Sequence, residues 1–541
     1  MNRRRFFTTA GAAAATAALA TKVSSAAGAP GGGEDRIQSA LRERKGSLKG
    51  LPEPLSLPRR TAAGLEPWVP TPQNPWDRRH AVYLLRRTMF GAKKSDVDFA
   101  LTKTPGEVVD LLLADKPLPA EPGAWVNSNY VYDNGDNNDK ENNDNLNALR
   151  LWWTGLIVNQ DFSIREKLTL FWHDHWATET DVVNQPQWNY WFIDLFRRNV
   201  LGNFKQMVKD VTISPCMLVY LDGRYNVKGR PNENYARELM ELHTLGEGNG
   251  YTEDDVKAGA RCLTGWTIKS LGKLPNGKTQ WDPKVAVFNS AQWDTGSKTF
   301  LGRTGNWAYG DVVDIIFSER ESEVAKYICR KLYREFVYEI ADETIITQMA
   351  ALLVQNAWDL RPVLTTLLKS AHFFDKANIG AHITSPYEYF VGAIRALEIQ
   401  TTAWSDIYTA TAALGLQLLL PPNVKGWPAY RSWISASRLA SRWGATDALI
   451  DDGKKPTPKF PFDPVAWVTR ISTPSDAHKI TQDVIELFYD IPLNAYQTDV
   501  LLNKFLSGWR DYEWDIANPG AVERIRGLLK AVLRNSEAQL I

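Results

Sequence analysis

From Trp76 to the C-terminus, apolar residues recur at helical spacing in segment after segment, a pattern that confines the chain to a mainly α, multi-helical globular fold. VYLLRRTMF, NALRLWWTGLIV, QWNYWFIDLFRRNV, EVAKYICRKLYREFV and EYFVGAIRALEI each put an apolar stripe along a helix, and each stripe needs a neighbour to bury it. Two stretches break the rhythm. Residues 133–145, DNGDNNDKENNDN, lack the glycine and glutamate placement of an EF-hand loop and read as a solvated loop. Between about residues 265 and 301, the turn pair Asn276-Gly277 and the strand-like VAVFNSAQW and KTFL predict a small β-hairpin excursion. The Pro/Lys-rich DDGKKPTPKFPFDP at 451–464 separates a main helical domain, 76–450, from a C-terminal helical subdomain, 465–541, or else forms a long loop within one domain.

Ahead of the helical region the chain changes character. Residues 1–27 join a basic start, Asn2-Arg3-Arg4-Arg5-Phe6-Phe7, to a mildly apolar alanine-rich run and small residues at Ser25-Ala26-Ala27. This reads as a cleavable export signal, and its paired arginines followed by Phe-Phe suit the twin-arginine route, which carries folded proteins, better than general secretion. Residues 28–75 are rich in Gly, Pro and charge and read as a disordered tether. No later apolar run reaches the roughly 18 residues of a spanning helix, so the expected mature protein is soluble and periplasmic or extracellular. Signal removal takes Arg3, Arg4, Arg5 and Lys22 and no acid, leaving 59 basic against 62 acidic side chains, which argues against a nucleic-acid partner. Cys216, Cys262 and Cys329 lie far apart in apolar surroundings and read as buried thiols.

Two constellations can carry chemistry. FWHDHWATE, residues 171–179, holds two of the chain's seven histidines, at the end of a helix whose start is signalled by a capping box of Ser163 and Glu166. At about 100° per residue, His173 and His175 point roughly 200° apart, so an intact helix cannot offer both to one metal. Either the helix ends near Asp174 and frees His175, or only one histidine belongs to a site. In PNENYARELMELHTLG, residues 231–246, Asn232 can cap and Gly246 can terminate a helix. Asn234, Arg237, Glu238 and Glu241 then share one face, while His243 lies on another. Such a stripe is equally a solvated ion-pair surface, and the histidines are equally core or capping residues. The sequence contains no GxSxG, HExxH, Walker or GxGxxG-after-strand pattern.

With these segments in hand, the chain resembles the bacterial family known as domain of unknown function 1800. The resemblance runs from about residue 74 to the C-terminus and is carried by LLRRTMFGA, REKLTLFWHDHWAT, SPCMLVYLDG, NENYARELMELHTLG, ARCLTGW, SPYEYFVGAIRAL, PPNVKGW and the closing RNSEAQL. Tyr83 stands where the family pattern has a histidine, and Ala429-Tyr430 where it has Gly-Gly. The resemblance implies an exported, predominantly helical protein of undetermined activity. It also implies a gene neighbourhood shared with another exported family, domain of unknown function 1501, which is similar to sulfatase-like and alkaline-phosphatase-like proteins.

Two functional expectations follow. In the first, an exported metal-dependent, hydrolase-like enzyme binds Zn, Mn or Fe through Glu238, Glu241 and His173 or His175, and a metal-bound water is the nucleophile. Arg237 and Asn234 hold substrate, Asp174 is a further candidate catalytic group, and Lys425, Trp427 and His243 form the rim. In the second, the protein is non-catalytic and binds a polysaccharide or a protein partner such as the neighbouring family, with Arg237, Glu238 and Glu241 serving as a salt-bridge lattice between helices.

Overall fold

Apolar periodicity becomes helix almost wherever it was read. The computed structural model describes residues 63–132, 140–275, 277 and 279–541; the export signal, the tether up to residue 62, the tract 133–139 and Asn276 lie outside the described residues. The fold is mainly α, with two small antiparallel sheets. Strands Tyr130–Tyr132, Thr279–Phe288 and Trp266–Lys273 form one sheet in which the central strand pairs with both others. The hairpin register runs from Trp266 opposite Phe288 to Lys273 opposite Thr279, with irregularities around Ser270. Gly277 lies between these strands at φ 82°, the left-handed backbone that a tight hairpin turn requires. Lys298–Phe300 and Arg303–Gly305 form a second hairpin.

The described residues make one compact unit. The part of the expected tether from Gly64 onward is fixed to it. Trp68 donates its backbone N–H to Lys369 O, Ala371 and His372 donate to Glu66 O and Gly64 O, and the Trp68 ring stacks on Phe374 at 4.3 Å. A large aromatic side chain gives this Pro-rich stretch enough apolar area to bind. At the other end, the helices that follow residues 451–464 fold back onto the main body. Arg78 and Arg86, on helix Arg78–Thr88, reach Asp483 and Asp490 at 2.8 and 2.9 Å. The C-terminal Ile541 exchanges two 2.8 Å backbone hydrogen bonds with His382.

Helix Arg165–His175 is buried nearly all round, as its sequence implies. Its expected capping box does not form. Ser163 Oγ accepts from Arg165 N, but Glu166 turns inward, where Arg197 grips both carboxylate oxygens at 2.9 and 3.0 Å and Trp153 Nε1 donates at 3.0 Å. A buried carboxylate gains more from a bidentate guanidinium than from one backbone N–H. Lys167, one residue on, pairs with Glu388 on helix Pro386–Ala396 and lies 3.2 Å from Glu335 on helix Glu321–Phe336, so one ammonium joins three helices. The contact of helix Pro386–Ala396 with the FGA turn is equally tight. A Cβ on Gly91, which holds φ 95°, would sit 2.5 Å from the Cα of Gly392, which explains glycine at 91.

Candidate functional site

Where helices Arg165–His175, Glu321–Phe336 and Pro386–Ala396 converge, they leave a pocket of about 290 Å³ closed on one side by the loop 425–433. Phe171, Leu170, Leu416, Trp427 and Trp433 give it apolar walls, and Asp174, His175, Lys331 and Arg334 bring polar groups to it. The KGW loop is seated directly on Asp174, whose Oδ1 accepts the backbone N–H of Trp427 at 2.7 Å. That approach requires Gly426: it holds φ 86°, and a Cβ there would lie 2.3 Å from Asp174 Oδ1.

The electrostatics of this corner are coupled. His175 Nδ1 lies 2.9 Å from Lys331 Nζ, and its Nε2 lies 3.2 Å from the carbonyl oxygen of His243. A carbonyl can only accept and an ammonium can only donate, so the partners fix the tautomer: Nε2 carries the proton and Nδ1 accepts from Lys331. Burial, aided by the charge of Lys331, holds His175 well below its ordinary pKa, so it stays neutral. Burial pushes the Asp174 carboxyl up to about 6, against the opposing pull of Lys331 and the Trp427 N–H. Burial likewise lowers Lys331 to about 8, with Asp174 opposing. A carboxyl and an amine whose pKa values bracket neutrality therefore line one recess.

The expected metal-binding set is not brought together. His173 is wholly buried between Trp153 and Trp427, with ring centroids 5.7 and 5.6 Å away. Neither of its nitrogens has a hydrogen-bond partner, and burial lowers its pKa to about 3. Glu241 lies 3.5 Å from Arg237, which also contacts Glu233 at 3.3 Å and holds Glu253 on helix Glu253–Cys262 at 2.7 and 2.8 Å. This is the ion-pair lattice between helices. Glu238 lies beside it, its pKa raised by partial burial and by Glu241, while Asn234 is exposed. Among the described residues, no group of three or more His, Cys, Asp and Glu side chains is arranged to hold a metal ion.

His243 lies off the polar stripe, as expected, but within a π-helical turn, Leu239–Thr244, and not among the residues that line the pocket. His243 is fully buried, 5.8 Å from His175 between ring centroids, and its carbonyl oxygen meets that ring. His243 is therefore a positioning element under the pocket rather than a rim residue. Of the expected rim, Lys425 and Trp427 do line the pocket, and Lys425 also lies 3.5 Å from the exposed Glu247. Tyr83 is in the core, donating its hydroxyl to Phe373 O, and is not among the lining residues.

Sequence reasoning overlooked Lys331, Glu335, Lys167, Glu388 and His382, all of which line the pocket. One signal was available: Lys167 opens the segment KLTLFW, apolar but for Thr169, in a helix read as buried, and a lysine there must be paired with a buried carboxylate. Lys331 gives no such signal, since helix Glu321–Phe336 has an ordinary amphipathic pattern.

Among the described residues, no helix is long and apolar enough to cross a membrane. Cys216, Cys262 and Cys329 are free and buried. Comparison with curated proteins and with solved structures yields no match. The family described as "Protein of unknown function (DUF1800)" matches residues 83–540, the span that contains the pocket, the KGW loop and the ion-pair lattice, and the chain therefore belongs to the DUF1800 family.

Proposed function

We propose that this protein is a hydrolase-like enzyme acting outside the cytoplasm, with Asp174 as its general base. The observation that carries the reading is a carboxyl pinned at a pocket wall, with a pKa of about 6, beside an amine at about 8. A base of that strength is largely ionised at neutral pH yet still accepts a proton readily. Asp174 takes a proton from water, the water oxygen adds to the scissile centre, and the proton then passes to the leaving group. Lys331, held by His175 Nδ1, supplies positive charge toward the oxygen on which negative charge develops. Trp427 and Trp433 supply flat apolar surface for a ring or chain segment of the substrate. The export-type leader is what supports action outside the cytoplasm.

The lattice of Arg237, Glu233, Glu241 and Glu253 favours a structural role for that helix, the role the binding-protein alternative assigned to it. In that second reading the same pocket binds a polysaccharide end or another polar ligand without turnover. A panel of chromogenic esters, glycosides and phosphate esters, run with wild type and Asp174→Asn, separates the two. Turnover lost in a folded Asp174→Asn variant supports the enzyme; turnover that persists in the variant sinks the assignment of the base. Ligand-induced stabilisation without turnover of any substrate favours the binding reading.

A further inference from the structure

A second cavity, of about 380 Å³, lies at the opposite, N-terminal end of helix Arg165–His175, where it meets the chain ends after helices Pro105–Leu113 and Pro186–Arg198. Its lining holds five cations, Lys116, Arg165, Arg197, Arg198 and Arg361, and one acid, Asp115. From these residues we infer a binding site for a small molecule bearing a phosphate or sulfate ester.

Part of this charge has structural work. Arg165 Nη1 donates to the loop carbonyls Lys116 O and Pro117 O at 2.9 and 2.7 Å, and Arg361 donates to Leu113 O, a carbonyl that the end of helix Pro105–Leu113 leaves open. Arg361 also pairs with Asp115 at 2.6 Å, Arg198 with Asp194 through Nε, and Arg197 with Glu166. Counting those three carboxylates against the five cations leaves an excess of two positive charges, enough to match a phosphate monoester near neutral pH and to exceed the single charge of a sulfate monoester.

A second observation points to a ligand rather than to capping alone. Arg197 is 1% exposed, yet its Nη1 has no hydrogen-bond partner; the buried Nε of Arg165 likewise makes no hydrogen bond, with Glu166 Oε1 3.8 Å away. A buried guanidinium edge without an acceptor is costly unless something supplies one. Helix Arg165–His175 adds to the field: its N-cap Ile164 offers no capping side chain, Ser163 Oγ takes only the Arg165 N–H, and its N-terminus opens at Ser163, Ile164 and Arg165 on the cavity wall. Forked guanidinium donors suit a tetrahedral oxyanion. The volume exceeds what a bare ion fills and falls in the range of small-molecule pockets, which assigns the anion to a larger molecule. Leu112, Leu118, Val200 and Leu201 would contact its uncharged part.

The test is calorimetric titration of the mature protein, in buffer free of phosphate and sulfate, with glucose 6-phosphate, glucose 6-sulfate, inorganic phosphate and glucose. Saturable binding of either ester, at least about tenfold tighter than inorganic phosphate and absent for glucose, is expected. That binding should weaken by about tenfold or more in Lys116→Ala/Arg198→Ala, whose side chains are partly or half exposed and whose loss leaves the core intact. It should be unchanged in Asp174→Asn, so failure here is distinguishable from failure of the hydrolase reading. Binding of inorganic phosphate as tight as that of both esters overturns the esterified ligand. No saturable binding of any anion, or equal binding by a folded double variant, overturns the site.

Discussion

Replacing His173 with leucine tests whether the first histidine of FWHDH is core. The imidazole is fully buried, makes no hydrogen bond and has a pKa lowered to about 3 from an ordinary 6.5, with burial as the cause. Its folded-state pKa lies below its unfolded one. Between those values the unfolded chain binds a proton that the folded chain refuses, so stability is present above pH 6.5 and drains away as pH falls toward 3. At pH 5 the loss from this one residue is ~2 kcal/mol, and at pH 7.5 it is close to nothing. His243, also fully buried and lowered to about 3, contributes a similar loss of ~2 kcal/mol at pH 5.

His173→Leu removes one of these two losses and exchanges two unpaired nitrogens for hydrocarbon of similar size. At pH 7.5 the variant should match wild type within about 1.5 kcal/mol, as volume-conserving core substitutions do. At pH 5 it should be more favourable relative to wild type by a further ~2 kcal/mol. Urea unfolding followed by tryptophan fluorescence at the two pH values gives both numbers. A stability difference that is the same at both values refutes the buried neutral imidazole. A loss above about 4 kcal/mol at pH 7.5 would mean that His173 has a partner, a metal ion included.

Three further outcomes test the neighbouring residues. Gly426→Ala should destabilise by ~3–5 kcal/mol, combining left-handed backbone strain with loss of the Trp427 N–H bond to Asp174, and a cost under about 1 kcal/mol in urea unfolding would show that the loop yields freely. Lys167→Met leaves Glu388 and Glu335 without their ammonium and should cost ~3–5 kcal/mol, much of it recovered by adding Glu388→Gln; a single variant of wild-type stability contradicts the three-helix junction. Elemental analysis by plasma mass spectrometry should give the same metal content for wild type and Glu238→Gln/Glu241→Gln, and loss of a stoichiometric metal in the folded variant would restore the metal reading of that helix.

The helices were legible because each carries its own apolar period, a local property that survives any arrangement of neighbours. The hairpin was legible for the same reason, through the turn at Gly277 and the strand-forming residues flanking it. Local rules failed where a distant residue outbid them. Glu166 fits a capping box on spacing, but Arg197 lies 31 positions away in the chain and offers two charged hydrogen bonds. The wheel for residues 234–246 kept Arg237 and Glu241 together and His243 off their face, but nothing in ELMELHT announces the π turn or the packing that brings the His243 carbonyl to His175. Lys331 stayed invisible because its role depends on helix packing, not on its own segment.

FWHDH shows the same division between local geometry and packing, residue by residue. Helical geometry requires that His173, Asp174 and His175 point in three directions, and that requirement holds. Which direction meets a cavity depends on what packs against each face. Trp153 and Trp427 close over His173, Lys331 and the His243 carbonyl take His175, and the KGW loop settles on Asp174. Gly426 is the visible trace of that last contact, since a side chain would collide with the carboxylate. Tyr430 shows the opposite case. It holds φ 58° in the same loop, so the loop carries a strain of ~1–2 kcal/mol at one residue while keeping the glycine that touches Asp174. The loop tolerates a costly backbone at Tyr430 but has no room for a Cβ at Gly426, which locates its constraint at the carboxylate rather than in the turn itself.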